Sequence, residues 1–184
     1  DIQIHKSPND DRQYQGMTLE NGLKVLLVSD PSAEKAAVAM SVRVGGYNET
    51  TEREGLAHFL EHMLFLGTKK YPDPAEYTRY IAAHGGGSNA FTAERNTQYY
   101  FDVLPNSLDG ALDRFAQFFI APLFNADLVD RERHAVDSEY KLRLQSDGWR
   151  IKTVNNITAN PKHPIVQFNF GSLATLSDSK NKPP

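Results

Sequence analysis

The chain has 184 residues, 40 % hydrophobic and 23 % charged, with a formal net charge of -3. That is the make-up of an ordinary globular protein with room for one domain and a real core, and it gives no electrostatic reason to expect a nucleic-acid partner. Cysteine is absent, so disulfides, cysteine nucleophiles and thiolate metal sites are excluded and any metal must sit on histidines and carboxylates.

No stretch approaches the ~20 apolar residues of a membrane span. The chain begins at Asp1 rather than Met, which fits removal of a leader as well as trimming. Asp1 to Gln15 is polar and reads as a lead-in arm to a single domain over 1–184. Asn21-Gly22 lies between the apolar stretches Met17–Glu20 and Leu23–Ser29, a strong hairpin signal. From Ala36 to Val44 the residues alternate: Val38, Met40, Val42 and Val44 point one way, Ala39, Ser41 and Arg43 the other. This predicts a strand with one buried face.

Thr51 with Glu54 three residues on has the form of a capping box, opening a helix that Gly67 ends. A second helix is expected from Asp73-Pro74 and Glu76 to His84, stopped by Gly85-Gly86-Gly87. Ser88–Ala93 and Thr97–Leu104 read as strands. Leu108, Ala111, Leu112, Phe115, Phe118 and Phe119 keep helical spacing up to Pro122, and those phenylalanines are expected in the core. A long helix from Asn125 to about Ser146 is followed by another after Gly148, and the tail from Asn160 to Pro184 reads as irregular. Helices and strands mix without βαβ regularity, and the hairpin signals favour antiparallel pairing. The expected class is α+β, an antiparallel sheet with helices packed on it.

The chemistry concentrates in Gly55–Leu66, where His58, Glu61 and His62 are the only polar residues among twelve. A helix apolar on nearly every side is buried, and burying two imidazoles and a carboxylate is costly unless something compensates them. A buried polar cluster held by hydrogen bonds alone is one solution; a divalent cation is the more direct one. His58 and His62 are one turn apart, so both rings leave one face and can reach a zinc ion at ~2.0–2.1 Å together. Glu61 borders the metal without having to bind it, where it can take a proton from a metal-activated water. The order His-x-x-Glu-His is the reverse of the more familiar zinc-peptidase motif.

Two imidazoles are too few, since a catalytic zinc site usually has three protein ligands and one open position. Glu132 and Glu139 are seven apart on the long helix, so they lie within ~20° of each other around its axis. Leu128, Ala135 and Val136 share that face. Spacing alone leaves open which carboxylate is the ligand.

These residues resemble the pitrilysin and insulysin family of zinc metallopeptidases. The resemblance continues through Ala135-Val136-Asp137-Ser138-Glu139, Gly67–Pro72, Ser88-Asn89-Ala90-Phe91-Thr92 and Asn160-Pro161-Lys162-His163-Pro164. It covers about Met17 to Asp178. It implies that His58, His62 and Glu139 hold one zinc ion, that Glu61 is the general base, and that Glu132 supports the site without binding metal. It further implies that Asn89, Ala90 and Phe91 lie on the strand that pairs with the substrate backbone. The metal would sit between the motif helix and the later long helix. The family's members are much longer, with two halves enclosing a peptide chamber, so this chain is expected to be an N-terminal catalytic fragment whose partners are peptide substrates and the remaining C-terminal portion. Alone it is expected to bind zinc but cleave peptides poorly. Bacterial relatives make the periplasm the expected location, with the cytoplasm as the alternative.

Two other readings compete. One is the catalytic chain of a two-chain processing peptidase; the other is a non-catalytic peptide-binding paralogue, against which the retention of all four motif residues speaks. His84 is expected at a helix C-terminus and His134 on the surface. His5 and His163 lie in irregular segments. The glycine run lacks a following Lys-Ser/Thr, so it is no phosphate loop.

Overall fold

The structure, a computed structural model, describes residues 3–50 and 52–178, which divide into two compact units, Asp1–Lys35 and Ala36–Pro184. In the first unit β1 (Gln13–Thr18) and β2 (Lys24–Ser29) pair antiparallel, Gln13 opposite Ser29 and Thr18 opposite Lys24. The Asn21-Gly22 turn forms as expected: Gly22 takes φ 85°, and the Asn21 Oδ1 accepts the Leu23 N–H. Gln13–Gln15 are therefore strand residues, and the irregular arm stops before them. Asp10 anchors it, accepting from the Arg12 guanidinium and, at 2.7 Å, from the Tyr14 hydroxyl.

In the second unit β3 (Ala36–Val42), β4 (Gly87–Thr92) and β5 (Thr97–Val103) form a sheet in the order β3-β5-β4, both pairings antiparallel. Thr97, Tyr99, Phe101 and Val103 of central β5 turn inward at alternate positions, and Val38, Met40 and Val42 of β3 share that face. Helices α1 (Leu56–Leu64), α2 (Glu76–Ala83) and α3 (Leu108–Ile120) cover it with Leu64, Tyr77, Ile81, Ala111, Phe115 and Phe118. The α3 phenylalanines are core, as their spacing predicts, and truncating one costs about 3–5 kcal/mol.

The start of α1 differs from its expected form. Thr51 lies outside the described residues, and the helix begins at Leu56. Gly55 has φ 90°, a left-handed conformation that cannot sit inside a right-handed helix. The first N–H groups are satisfied from further back: Glu49 accepts from Gly55 and Ala57, both at 2.7 Å. Glu54, expected to close a capping box, instead accepts the Phe168 N–H.

Helix α4 (Ala126–Arg143) is capped by Asn125, whose side chain accepts the Asp127 N–H, and it packs against α1. Its inward stripe is Glu132, Val136, Glu139 and Arg143, spaced four, three and four. Val136 is fully buried. Helix α5 (Asp147–Ile157) starts before Gly148 rather than after it. A glycine in a first turn interrupts no intrahelical bond, so it does not delay the helix. The tail is less irregular than expected: Ser172 caps a short helix α6 (Leu173–Leu176), tied to α4 by the Leu173 N–H donating to Asp137. Among the described residues no helix is long and apolar enough to cross a membrane.

Candidate metal centre

His58 and His62 leave α1 one turn apart, and their Nε2 atoms come within 3.3 Å. Glu139 of α4 closes the group, with one carboxylate oxygen 3.8 Å from the His58 Nε2 and the other 3.7 Å from the His62 Nε2. Atoms bound at ~2.0–2.1 Å to a tetrahedral zinc must lie about 3.3 Å apart, and a little more where the angle opens. The spacing fits.

Hydrogen bonding leaves this group short of positive charge. The His58 Nδ1 lies 2.7 Å from the Phe170 carbonyl oxygen, which can only accept, so Nδ1 carries the proton and Nε2 is a bare lone pair. The His62 Nδ1 lies 3.5 Å from a carboxylate oxygen of Glu132, a neighbour that favours a proton on that nitrogen. Two imidazole lone pairs and the Glu139 carboxylate thus converge on one point, a repulsive arrangement unless positive charge sits among them. A proton on His58 is an unfavourable substitute, because burial pushes its pKa down to about 4. His58, His62 and Glu139 form a group able to hold a metal ion.

Direction separates the two carboxylates that spacing leaves equal. Glu139 reaches both Nε2 atoms, whereas Glu132 reaches only the far nitrogen of His62 and accepts from Arg131 with its other oxygen. The shared apolar face suits Glu132, whose side chain is 13 % exposed, better than Glu139 at 43 %. Both border an open cleft of about 640 Å³.

Glu61 of α1 is buried, and its Oε2 accepts from the Thr92 hydroxyl at 2.6 Å. Burial pushes its carboxyl pKa up, partly offset by that hydrogen bond and by His62. A carboxylate held this way is a stronger base than one in water.

Strand β4 borders the cleft and is an edge strand among the described residues. Asn89, Ala90 and Phe91 are all on it, in different roles. Ala90 packs toward the core, Phe91 is exposed, and the Asn89 Oδ1 accepts the Ala90 N–H at 2.9 Å. That N–H therefore points away from β5, into the open edge.

His84 caps the C-terminus of α2 and His134 is exposed, as expected. Thr92, Phe170 and Arg143 also line the cleft, with no individual role assigned to them from the sequence. A backbone acceptor such as the Phe170 carbonyl has no sequence signature; Gly171 after it, at φ 94°, is the one trace of the close approach to Gly55.

Residues 24–162 match the family model described as Insulinase (Peptidase family M16). The chain is 50 % identical over 179 residues to the insulin-degrading enzyme of Homo sapiens, covering 97 % of this chain and 18 % of that protein. It is 55 % identical over 181 residues to the insulin-degrading enzyme of Drosophila melanogaster, covering 97 % and 18 %. The crystal structure of pitrilysin superposes with a TM-score of 0.92 at 44 % identity, over 98 % of this chain and 19 % of that one. The chain thus spans less than a fifth of these relatives' length. With its motif helix, its converging ligand set and a match over most of its length, this chain belongs to the insulinase family, peptidase family M16.

Proposed function

We propose that this chain is the metal-binding catalytic part of a larger zinc endopeptidase that hydrolyses peptides. The observation that carries the reading is the convergence of the His58 and His62 Nε2 atoms and the Glu139 carboxylate, with Glu61 buried beside them. One zinc ion suits two imidazoles and a carboxylate with a fourth position open. When bound, it supplies a Lewis acid that acidifies water and polarises a peptide carbonyl.

The residues of the chain do the rest. His58 is oriented by the Phe170 carbonyl and His62 by Glu132, so each presents its lone pair to the ion. Thr92 fixes one oxygen of Glu61 and leaves the other to take a proton from the attacking water and later pass it to the leaving amine. The edge of β4 offers main-chain groups to an extended peptide, which would displace the Asn89 side chain from the Ala90 N–H. Such pairing aligns the scissile bond without reading side chains.

Groups that stabilise the tetrahedral intermediate are expected from the remainder of the enzyme, so the chain alone should bind zinc and turn over slowly. The test is peptide hydrolysis by the full-length enzyme carrying Glu61→Gln. Loss of at least ~10³-fold in kcat with zinc retained supports the assignment, on the scale expected for removing a general base. An unchanged rate contradicts it.

A further inference from the structure

Arg143 is the last residue of α4 and lies one turn beyond Glu139 on the same stripe. Its guanidinium carbon sits 4.2 Å from the Trp149 ring centroid and 3.8 Å from that of Phe170, so two aromatic faces hold it in place. The side chain is half-buried and lines the same cleft as His58, Glu61 and Glu139. Arg53, Arg79, Arg114 and Arg131 each meet a carboxylate oxygen within 3.0 Å. Among the described residues Arg143 meets none and donates no hydrogen bond. It is a fixed, partly desolvated cation without a protein acceptor there.

Such a group is unfinished. A guanidinium carries five N–H donors in a planar fork and stays charged even when burial disfavours the charge, as it does here. The aromatic faces compensate it in part but accept no N–H in its plane. Lys152 lines the same side of the cleft, its Nζ 5.0 Å from the Trp149 ring centroid, but there it pairs with Glu94 at 3.5 Å, which leaves Arg143 as the cation with no carboxylate among the described residues. Glu139 and Glu61 favour the Arg143 charge through space, yet they face the metal position. Solvent accepts from these N–H groups until a ligand entering the cleft replaces it.

Resting on the peptidase reading, we infer that Arg143 is a specificity-determining residue, which takes a carboxylate of the bound peptide close to the scissile bond. A carboxylate matches the planar fork with two parallel hydrogen bonds, and charge-assisted pairs gain most where water is partly excluded. It can come from an acidic side chain or from the peptide's own C-terminus.

Two peptide pairs separate these sources: one differs by Glu against Gln beside the scissile bond, the other by a free against an amidated C-terminus. With full-length enzyme, kcat/KM is measured for wild type, Arg143→Met and Arg143→Lys. Wild type is expected to prefer the charged member of one pair by at least about tenfold. Arg143→Met should bring that ratio within about twofold and Arg143→Lys should restore part of it, since Lys keeps the charge but not the fork. The pair that responds names the source. A merely structural role would lower all four peptides together, and an unchanged ratio in Arg143→Met for both pairs overturns the inference. The same ratios are read as peptide affinities by fluorescence anisotropy on Glu61→Gln enzyme, with and without Arg143→Met. That arm decides the role of Arg143 even if wild type cleaves none of the peptides, a result that would count against the peptidase reading alone.

Discussion

The Nδ1 of His58 and the carbonyl oxygen of Phe170 lie 2.7 Å apart, although 112 residues separate them in the chain. This bond fixes the tautomer of a buried imidazole and aims its Nε2 at Glu139. It depends on Gly55 and Gly171, both at positive φ, passing so close that a Cβ on Gly55 would lie 2.1 Å from the Gly171 Cα.

Gly171→Ala should therefore disturb the metal site from outside it. The new methyl would meet Leu176 and Val136 at 3.1 Å while forcing a left-handed alanine. A cost of about 1–3 kcal/mol is expected, with roughly 10–100-fold weaker zinc binding once the Phe170 carbonyl shifts. Urea unfolding and chelator competition measure the two effects separately.

Glu132 and Glu139 should separate cleanly by mutation. Glu132→Ala removes the acceptor that orients His62 and should weaken zinc roughly 10–100-fold. Glu139→Ala removes a ligand and should weaken it more. Isothermal titration of both variants checks the order, and the reverse order would exchange their roles.

Helical spacing made the motif helix, the two imidazoles and Glu61 legible from sequence, because a turn of 3.6 residues determines which side chains share a face. It could not rank Glu132 against Glu139, which share a face by the same rule. The sheet and α2 through α4 were legible from alternation, glycine runs and spacing. The entry to α1 was not, because its cap is Glu49, whose role depends on a loop fold rather than on a local motif. Nor was the contribution of the tail, since it reaches His58 through a main-chain oxygen that any residue would supply.

Thr92→Val should alter the acid limb of the pH profile. The Thr92 hydroxyl bonds the ionised form of Glu61 and lowers its pKa, against burial that raises it. Without that donor the pKa rises further, so Glu61 becomes protonated at higher pH. The acid limb of kcat/KM should move upward in pH, and a limb that stays in place would show that Glu61 does not set it.

His58 gives the metal-free protein a pH-dependent stability. Burial depresses its pKa from 6.5 to about 4, so the folded state resists a proton that the unfolded chain accepts. This contribution is complete above about pH 6.5 and is lost as pH falls toward 4, up to about 3 kcal/mol at 1.36 kcal/mol per pH unit. Urea unfolding with chelator across that range should show the loss in wild type and a shallower one in His58→Gln.

The most direct measurement is zinc content of the purified protein by mass spectrometry, wild type beside His58→Ala, His62→Ala and Glu139→Ala. One zinc per chain in wild type and little in each variant is expected from three converging ligands. A wild type without metal, or a Glu139→Ala variant that keeps a full zinc as tightly as wild type, would contradict the site.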